Sequence, residues 1–330
     1  MPASLTHHYW TYPSVTNPDS LKLVDKRIPI FTDDPGWHGE QLRQAFAARG
    51  WEAVFVSLRD CWFEFSQSSS GVCIPGFEHG LPQGVFVRGV SGGTLQQVTM
   101  RLDILHALKS QGILVYNNGR AIERTVDKAM TSFLLHQNGV PTPATWVCES
   151  REQARKIMLR EHMAERQLVM KPVFGSQGIG VRRLAKGQPM PVPMDEHVDG
   201  VFYLQNYVDT GDGEWHDYRV FVISNKVNSA MVRYGNQWVN NVAQGGRCES
   251  LCVDEETDAL AVAAAKAVEI DYCGVDIIRD RSGKLYVLEV NSIPAWRGLQ
   301  QVTTENIAQS LVDDFLALLS KRTHQAVAAV

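Results

Sequence analysis

Short apolar runs alternate with amphipathic stretches in the first third of the chain. The apolar runs predict strands at 27–32, 53–58, 84–88 and 113–116, and the amphipathic stretches predict helices at 39–49 and 95–109. A Ser-, Gly- and Pro-rich stretch at 66–76 predicts a loop. Strands that alternate with helices imply a parallel sheet covered by helices. We therefore expect residues 28–117 to form an α/β domain after an N-terminal tail at 1–27.

The second half of the chain shows a different pattern. A helix is predicted at 121–137, ended by Gly139 and by the prolines at 141 and 143, and strand signals cluster further on at 167–184, 201–208, 216–233 and 272–291. Further helices are predicted near 255–268 and at 307–319. Clustered strands without intervening helices indicate an α+β region with antiparallel pairing.

Two neighbouring apolar runs, 274–278 and 284–291, each carry an acidic residue in the middle. The turn signature at 280–283 predicts that they form a β-hairpin. Residues two apart on a strand share a face, so Glu289 and Asn291 point the same way. A turn centred between residues 281 and 282 places Asp276 opposite Val287, diagonal to Glu289 and on the same face. The opposite face suits a core and is predicted to carry Cys273, Val275, Ile277, Tyr286, Leu288 and Val290.

The polar face of this hairpin has two interpretations. Two carboxylates and an amide oxygen that converge without a cation repel each other, and oxygen ligands select a hard cation such as Mg²⁺ beside a nucleotide. Asp276, Glu289 and Asn291 are therefore candidate metal ligands. The alternative is a half-buried hairpin whose polar face meets water, and the hairpin alone does not decide between them.

A glycine-rich loop follows an apolar run that ends in Lys171. Gly175, Ser176, Gln177, Gly178, Ile179 and Gly180 make up the loop, and a short strand is predicted to follow it. Clustered glycines let backbone N–H groups turn toward an anion, and the lysine adds a point charge. No Gly-Lys-Ser/Thr opens a helix here, so the loop is not a P-loop. It predicts a phosphate cradle between two strands, with an ordinary glycine-rich hairpin as the alternative.

Composition excludes several classes of protein. The chain has 330 residues, enough for two or three subdomains, and a net charge of −4 without a basic block, so neither nucleic acid nor an anionic membrane is an expected partner. The N-terminus lacks the apolar segment of a signal peptide, and no apolar run reaches transmembrane length. The six cysteines are scattered, as expected of reduced thiols in a cytoplasmic protein.

Taken in order, these motifs resemble the ATP-grasp superfamily, and within it the RimK-like glutamate ligases. The matching segments are Lys128, 169–181, 205–208, 217–219, 274–277 and 288–294, and the resemblance covers about residues 84–320. Each motif alone is weak, but five in the family's order are specific. The resemblance implies an ATP-grasp fold, α/β and α+β, in which subdomains at 118–204 and 205–330 clasp ATP.

The resemblance also implies roles for individual residues. Lys128 and Lys171 would reach the phosphates, residues 175–180 would fold over them as a lid, and Gln205, Asn206, Tyr207 and Val208 would offer backbone groups to adenine. Asp276, Glu289 and Asn291 would hold Mg²⁺, with two ions expected and Mn²⁺ able to substitute. Arg219, Arg233 and Asn241 would be catalytic, although a salt bridge between Arg219 and Asp217 is an alternative.

The chain departs from the family at the substrate side. Asn206 replaces the usual Glu, and Ala243 and Gln244 replace a His-Arg pair. A substrate carboxylate still requires a fork of donors, and arginine suits that geometry. We predict that Arg297 supplies it with Trp296 packed beside it, and that Arg88 and Arg101 of the first domain face the acceptor. A surface arginine paired with an acidic neighbour is the alternative for Arg297.

The implied activity is an ATP-dependent carboxylate–amine ligase. ATP would phosphorylate a carboxylate, and an amine would attack the acyl phosphate to give an amide, ADP and phosphate. The resemblance points to addition of glutamate or a similar amino acid to a small molecule, cofactor or peptide end, in a protein able to form a homo-oligomer. A D-alanine–D-alanine-type dipeptide ligase and a non-catalytic ATP-binding module of the synapsin type are the alternatives.

Overall fold

A computed structural model describes residues 25–66, 70–175, 178–187, 199–211, 215–235, 238 and 246–328. Most of the predicted N-terminal tail lies outside this range. Among the described residues, no helix is both long and apolar enough to cross a lipid bilayer.

The N-terminal part is the predicted α/β domain. Its elements are β1 (Arg27–Phe31), α1 (Gly36–Ala47), β2 (Glu52–Val56), β3 (Trp62–Glu64), β4 (Gly71–Cys73), β5 (Gly84–Val87), α2 (Leu95–Ser110) and β6 (Leu114–Tyr116). Four strands form a parallel sheet in the order β2-β1-β5-β6, which confirms the prediction. The small hairpin β3–β4 was not predicted, and β4 lies inside the expected loop at 66–76.

Two short helices follow where one was predicted. They are α3 (Gly119–Val126) and α4 (Lys128–Gln137). Asp127 ends the first and caps the second, because its carboxylate accepts the N–H groups of Ala129 and Met130 at 2.8 and 3.1 Å. The break makes Lys128 the first residue of α4.

A four-stranded antiparallel sheet comes next. It is built from β7 (Thr145–Cys148), β8 (Leu168–Lys171), β9 (Arg182–Leu184) and β10 (Phe202–Asn206) in the order β7-β10-β8-β9. Helix α5 (Arg151–Met163) buries Ala154, Ile157 and Met158 against it. Neither β7 nor α5 was predicted. The predicted boundary between residues 204 and 205 falls inside β10, and the strand continues to Asn206.

The largest sheet has five antiparallel strands. Its elements are β11 (Trp215–Ile223), β12 (Lys226–Gly235), β13 (Arg247–Ser250), α6 (Glu255–Val268), β14 (Tyr272–Arg279) and β15 (Leu285–Asn291), in the strand order β13-β12-β11-β14-β15. Helices α3, α4 and α6 cover one face, where Ala121 and Leu135 share a buried cluster with Val275 and Val287. Residues 119–137 therefore pack with this sheet rather than with the four-stranded one.

The chain closes with α7 (Arg297–Gln300) and α8 (Ile307–Ala328). Helix α8 joins the N-terminal domain to the large sheet, since Phe315 packs 5.6 Å from Phe46 and shares a buried cluster with Phe86 and Phe221. Arg49 of the α1 end also pairs with Asp313 at 2.6 Å. The N-terminal domain and the large sheet thus share one hydrophobic core.

Candidate functional site

A cavity of about 590 Å³ lies between the four-stranded and the five-stranded sheets. It gathers most of the predicted site residues from both halves of the C-terminal region. The lining includes Lys128, Lys171, Gly175, Gly178, Ile179, Gln205, Asn206, Tyr207, Val208, Arg219, Arg233, Asp276, Glu289, Asn291 and Arg297.

The predicted hairpin supplies the acidic wall of this cavity, with a different register. Asp276 lies directly opposite Glu289 rather than Val287, because a bulge in β15 makes Leu288 an extra residue. Asp276, Glu289 and Asn291 still share one face. Because of the bulge, the prediction that Tyr286 and Leu288 face the core is wrong. Leu285 and Val287 are buried instead, whereas Tyr286 is half-buried and Leu288 lines the cavity.

A buried network of four charges crosses the strands beside Glu289. Arg219 binds both carboxylate oxygens of Asp276, with Nη2 at 3.0 Å from Oδ2. Arg233 binds Asp217 at 2.6 and 2.8 Å and reaches Asp276 at 3.0 Å. The alternative pairing of Arg219 with Asp217 is therefore not the one adopted. Burial acts to raise the pKa of Asp276, but the two arginines outweigh it and hold the pKa at about 2.

Glu289 stands next to this network without an arginine or lysine at ion-pair distance among the described residues. Its Oε1 accepts a hydrogen bond from Asn291 Nδ2 at 3.0 Å. The described part of the chain contains no cluster of three or more His, Cys, Asp or Glu side chains suited to a metal. A cation here would therefore rely on Glu289, the Asn291 amide oxygen and the lone pairs that Asp276 does not use for arginine.

Two lysines face Glu289 from the other side of the cavity. Lys171, at the end of β8, donates to Gln205 Oε1 at 2.7 Å, and Lys128 donates to the Gly175 carbonyl at 2.6 Å. Burial lowers the pKa of Lys171 to about 8 against the opposing attraction of Glu289, and burial also lowers the pKa of Lys128. Two desolvated cations opposite a carboxylate make this cavity a strong site for a polyanion with a divalent cation.

The segment 205–208 forms the cavity edge that was predicted to meet adenine. The N–H groups of Asn206 and Tyr207 already donate to the carbonyls of residues 144 and 167, at 2.8 Å each. These two N–H groups are therefore not available to adenine, and only the other backbone groups of the segment remain to contact the base. The Asn206 side-chain oxygen is buried and has no hydrogen-bond partner among the residues that the structure describes. Arg183 stacks 4.0 Å above the Tyr207 ring.

The predicted substrate residues fall into different places. Arg297 is exposed, lines the cavity and has no acidic partner in the described part of the chain. Trp296 is fully buried behind it, stacked on Arg88 at 4.7 Å. Arg88 donates to the Pro294 carbonyl at 3.2 Å, outside the cavity lining. Arg101 is buried on α2 and donates to the carbonyls of residues 91 and 92, which does not support contact with an acceptor.

Three predicted residues, Ser176, Gln177 and Asn241, lie outside the described residues, as do Ala243 and Gln244. Gly180 belongs to the turn at 178–180 beside the cavity and has a φ of +77°, a left-handed conformation that favours glycine.

Sequence reasoning missed Asn117, a buried residue just after β6. Its amide donates to the carbonyls of Tyr272 and Ser292 at 2.7 Å each and accepts the N–H groups of Asp271 and Tyr272. It therefore ties the N-terminal domain to the start of β14 and to the residue after β15. A single polar residue without a motif gives no sequence signal for such a role.

Comparison with known proteins identifies a family and a fold. The sequence model of the RimK-like ATP-grasp domain matches residues 125–315. Tetrahydromethanopterin:alpha-L-glutamate ligase of Methanococcus maripaludis is 34% identical over 70% of this chain and 78% of its own length. The ligase of the same name from Methanosarcina acetivorans is 28% identical over 87% of this chain and 98% of its own.

Solved structures share the fold at low sequence identity. The ATP-grasp ligase PsnB, complexed with a phosphomimetic variant of a minimal precursor, Mg and ADP, superposes with a TM-score of 0.70 at 20% identity, over 90% of this chain and 99% of its own. A RimK domain ATP-grasp protein from Sphaerobacter thermophilus gives 0.62 at 18% identity, over 88% of this chain and 99% of its own. The predicted ATP-grasp fold is thereby confirmed.

The pKa of Lys171 predicts a proton uptake when Mg-nucleotide binds. At pH 8 about half of the Lys171 side chains are neutral in the free protein, since their pKa is about 8. Nearby phosphates raise that pKa, so binding takes up to about half a proton at pH 8 and almost none at pH 6.5. Calorimetry in two buffers of different ionisation enthalpy measures the uptake.

Lys171→Arg is the matched control, because arginine stays charged throughout this range. It should bind nucleotide at pH 8 with heats that no longer depend on the buffer. Buffer-independent heats in the unaltered protein at pH 8 would contradict the assignment of Lys171 to the phosphates.

Proposed function

Because this chain belongs to the RimK-like ATP-grasp ligases, enzymes that form carbon–nitrogen bonds, we propose that it adds L-glutamate or a similar amino acid to a carboxylated acceptor. The acceptor is a small molecule, a cofactor or a peptide end. The observation that carries the proposal is the cavity itself, where Lys128 and Lys171 face Glu289 and where Arg297 stands unpaired among the described residues.

The donor set of this cavity fits a hard divalent cation. Glu289 keeps its negative charge free of arginine in the described structure, and Asn291 lies against it at 3.0 Å. Glu289, Asn291 and the remaining lone pairs of Asp276 would hold Mg²⁺, with Mn²⁺ as a substitute of similar ligand preference. When bound, the cation neutralises phosphate oxygens of ATP and so lowers the barrier to phosphoryl transfer.

The chain's own residues position the reacting groups. Lys171 and Lys128 bind phosphate oxygens in a desolvated wall, where each contact is stronger than in water. Arg219 is the cationic stabiliser next to them: its Nε and Nη2 are engaged by Asp276, and Nη1 has no hydrogen-bond partner in the described residues. Asp276 thereby fixes the guanidinium plane while one edge remains able to donate to the transferring phosphoryl group.

Arg297 is the proposed carboxylate fork. Of the arginines that line the cavity in the described part of the chain, Arg219 and Arg233 are neutralised by Asp276 and Asp217. Arg297 faces no acidic partner there, which disfavours the alternative of a surface arginine in an ion pair. A planar guanidinium at this end of the cavity matches the two oxygens of an amino-acid or acceptor carboxylate.

A panel assay tests the proposed function. Purified protein with ATP and Mg²⁺ is given pairs of one amine and one carboxylate, and ADP release and product mass are measured. L-glutamate with a glutamate-terminated peptide or a pterin-type carboxylate should give ADP together with a product heavier by one glutamyl residue. D-alanine alone tests the dipeptide-ligase alternative. ATP binding without ADP release on every pair would favour a non-catalytic module.

Two isosteric substitutions compare a proposed metal ligand outside the charge network, Glu289, with one inside it, Asp276. Glu289→Gln should abolish turnover with a melting temperature close to that of the unaltered protein, since Glu289 makes no ion pair among the described residues. Asp276→Asn should also abolish turnover, but it should cost about 3–5 kcal/mol of unfolding free energy because Arg219 and Arg233 lose their common anion. Denaturant titration and ADP release measure both effects.

Full turnover in Glu289→Gln would remove this residue from the metal site. Equal unfolding free energies of the two variants would show that the ion pairs of Asp276 do not stabilise the fold as expected.

Replacement of Arg297 tests the substrate end. Arg297→Ala should lower kcat/KM for its carboxylate partner about 30- to 1,000-fold, as expected from the loss of a charge-assisted contact worth about 2–4 kcal/mol. The KM for ATP should stay within about twofold. The control is Arg43→Ala, which removes an exposed arginine paired with Glu40 on α1. A loss confined to ATP would exclude Arg297 from carboxylate binding.

A further inference from the structure

The segment 292–298, which leads from the β14–β15 hairpin into α7, is held by three groups of the N-terminal domain. Asn117 donates to the Ser292 carbonyl at 2.7 Å, and Arg88 donates to the Pro294 carbonyl at 3.2 Å. The third group is His38, whose Nε2 lies 3.1 Å from the backbone nitrogen of Trp296. The residue directly after this last contact is Arg297.

The contact requires one form of the His38 ring. The Trp296 N–H is the donor, so Nε2 must carry a lone pair and the imidazole proton sits on Nδ1. Burial, together with the positive charges of Arg88 and Arg297, lowers the pKa of His38 to about 4 and keeps the ring neutral near pH 7. His38 is therefore a permanent acceptor under ordinary conditions, and its engaged Nε2 does not serve as a base for substrate.

The rings around this contact hold the same segment from the side. His38 packs 4.6 Å from the fully buried Trp296 ring in an edge-to-face arrangement. Its neighbour Trp37 lies 6.0 Å from the Arg297 guanidinium, within reach of a cation–π interaction. The first turn of α1 thus touches both the backbone before Arg297 and the Arg297 side chain.

We propose that His38 is a positioning residue that sets the direction from which Arg297 enters the cavity. It does so by fixing the Trp296 backbone at the start of α7. This inference rests on the proposed role of Arg297 as the carboxylate fork. It makes the N-terminal domain a determinant of carboxylate binding through a residue that lies outside the cavity lining.

The test uses His38→Phe, which keeps a ring against Trp296 but lacks the acceptor, and His38→Gln, whose Oε1 can accept the same N–H. His136→Phe, at an exposed position on α4, is the matched control. Hydrogen exchange of residues 295–298 is measured in each full-length protein. The amides should exchange at least about tenfold faster in His38→Phe, and near the unaltered rate in His38→Gln and His136→Phe.

A double-mutant cycle tests whether the loss of the His38 contact acts on substrate binding through Arg297. With L-glutamate and a glutamate-terminated peptide as probes, His38→Phe should raise the KM for whichever probe Arg297→Ala affects, by about 5- to 50-fold. The KM for ATP should stay within about twofold, and His38→Gln should recover most of the loss. In the Arg297→Ala background, His38→Phe should add less than about twofold, because the residue it positions is gone.

Unchanged exchange at 295–298 in His38→Phe would overturn the proposal. The proposal would also fail if the KM increase in the double variant equalled the product of the two single-variant increases, since this indicates independent roles. The exchange measurement needs no turnover, so it tests the hold of His38 on the segment even if the substrate panel gives no product. If the panel gives no product but exchange is faster in His38→Phe, the proposed substrates are wrong and the His38 contact still stands.

Discussion

The balanced network of Asp217, Arg219, Arg233 and Asp276 is the constraint on which the cavity depends. Four charged side chains, each at most 11% exposed, lie on one face of the large sheet, and each carboxylate is held by a bidentate guanidinium. An unpaired charge in this place costs several kcal/mol, so the strands β11, β12 and β14 are stable together only in the register that pairs all four. A slip by one residue would send these charges into the apolar core on the other face.

The same network determines which carboxylate in the described part of the cavity has no arginine to neutralise it. Asp276 neutralises Arg219 and shares Arg233, so neither arginine compensates Glu289, the next carboxylate in the row. Glu289 therefore keeps its charge beside two desolvated lysines. One row of side chains thus contains both a structural ion network and the carboxylate of Glu289. Because the arginines are paired within the network, neither of them neutralises Glu289.

Much of this row was predictable because strand alternation is local. Glu289 and Asn291 were placed on one face from their spacing, and Asp276 was added to it from the expected position of the turn. The partner of Asp276 was not predictable, because the bulge at Leu288 arises from pairing between strands and leaves no mark in the sequence of either one. For the same reason Tyr286 and Leu288 were assigned to the core in place of Leu285 and Val287.

Other misses have equally definite causes. The helix break at Asp127 was hidden because an aspartate is tolerated inside a helix as well as at its cap, and α5 was missed because charged residues outnumber the apolar ones on its surface. Asn117 and His38 contact residues 154 to 258 positions away in the chain. No local pattern marks such contacts, so the sequence predicted the β14–β15 hairpin and the two cavity lysines but not the contacts that hold residues 292–296.

The proposed hold of His38 on this segment would let a chain without the family's His-Arg pair bind a carboxylate. Arg219 and Arg233 carry no net charge to the cavity once Asp217 and Asp276 are counted, and residues 243 and 244 are neutral in any position. Under the proposed function, the positive charge at the substrate end comes from a residue outside the sheet. Arg297 meets this requirement, but it is exposed on a four-residue helix that cannot fix a long side chain by itself. The segment before Arg297 is instead held by the N-terminal domain. Asn117, Arg88 and His38 each form a hydrogen bond with its backbone rather than with its side chains.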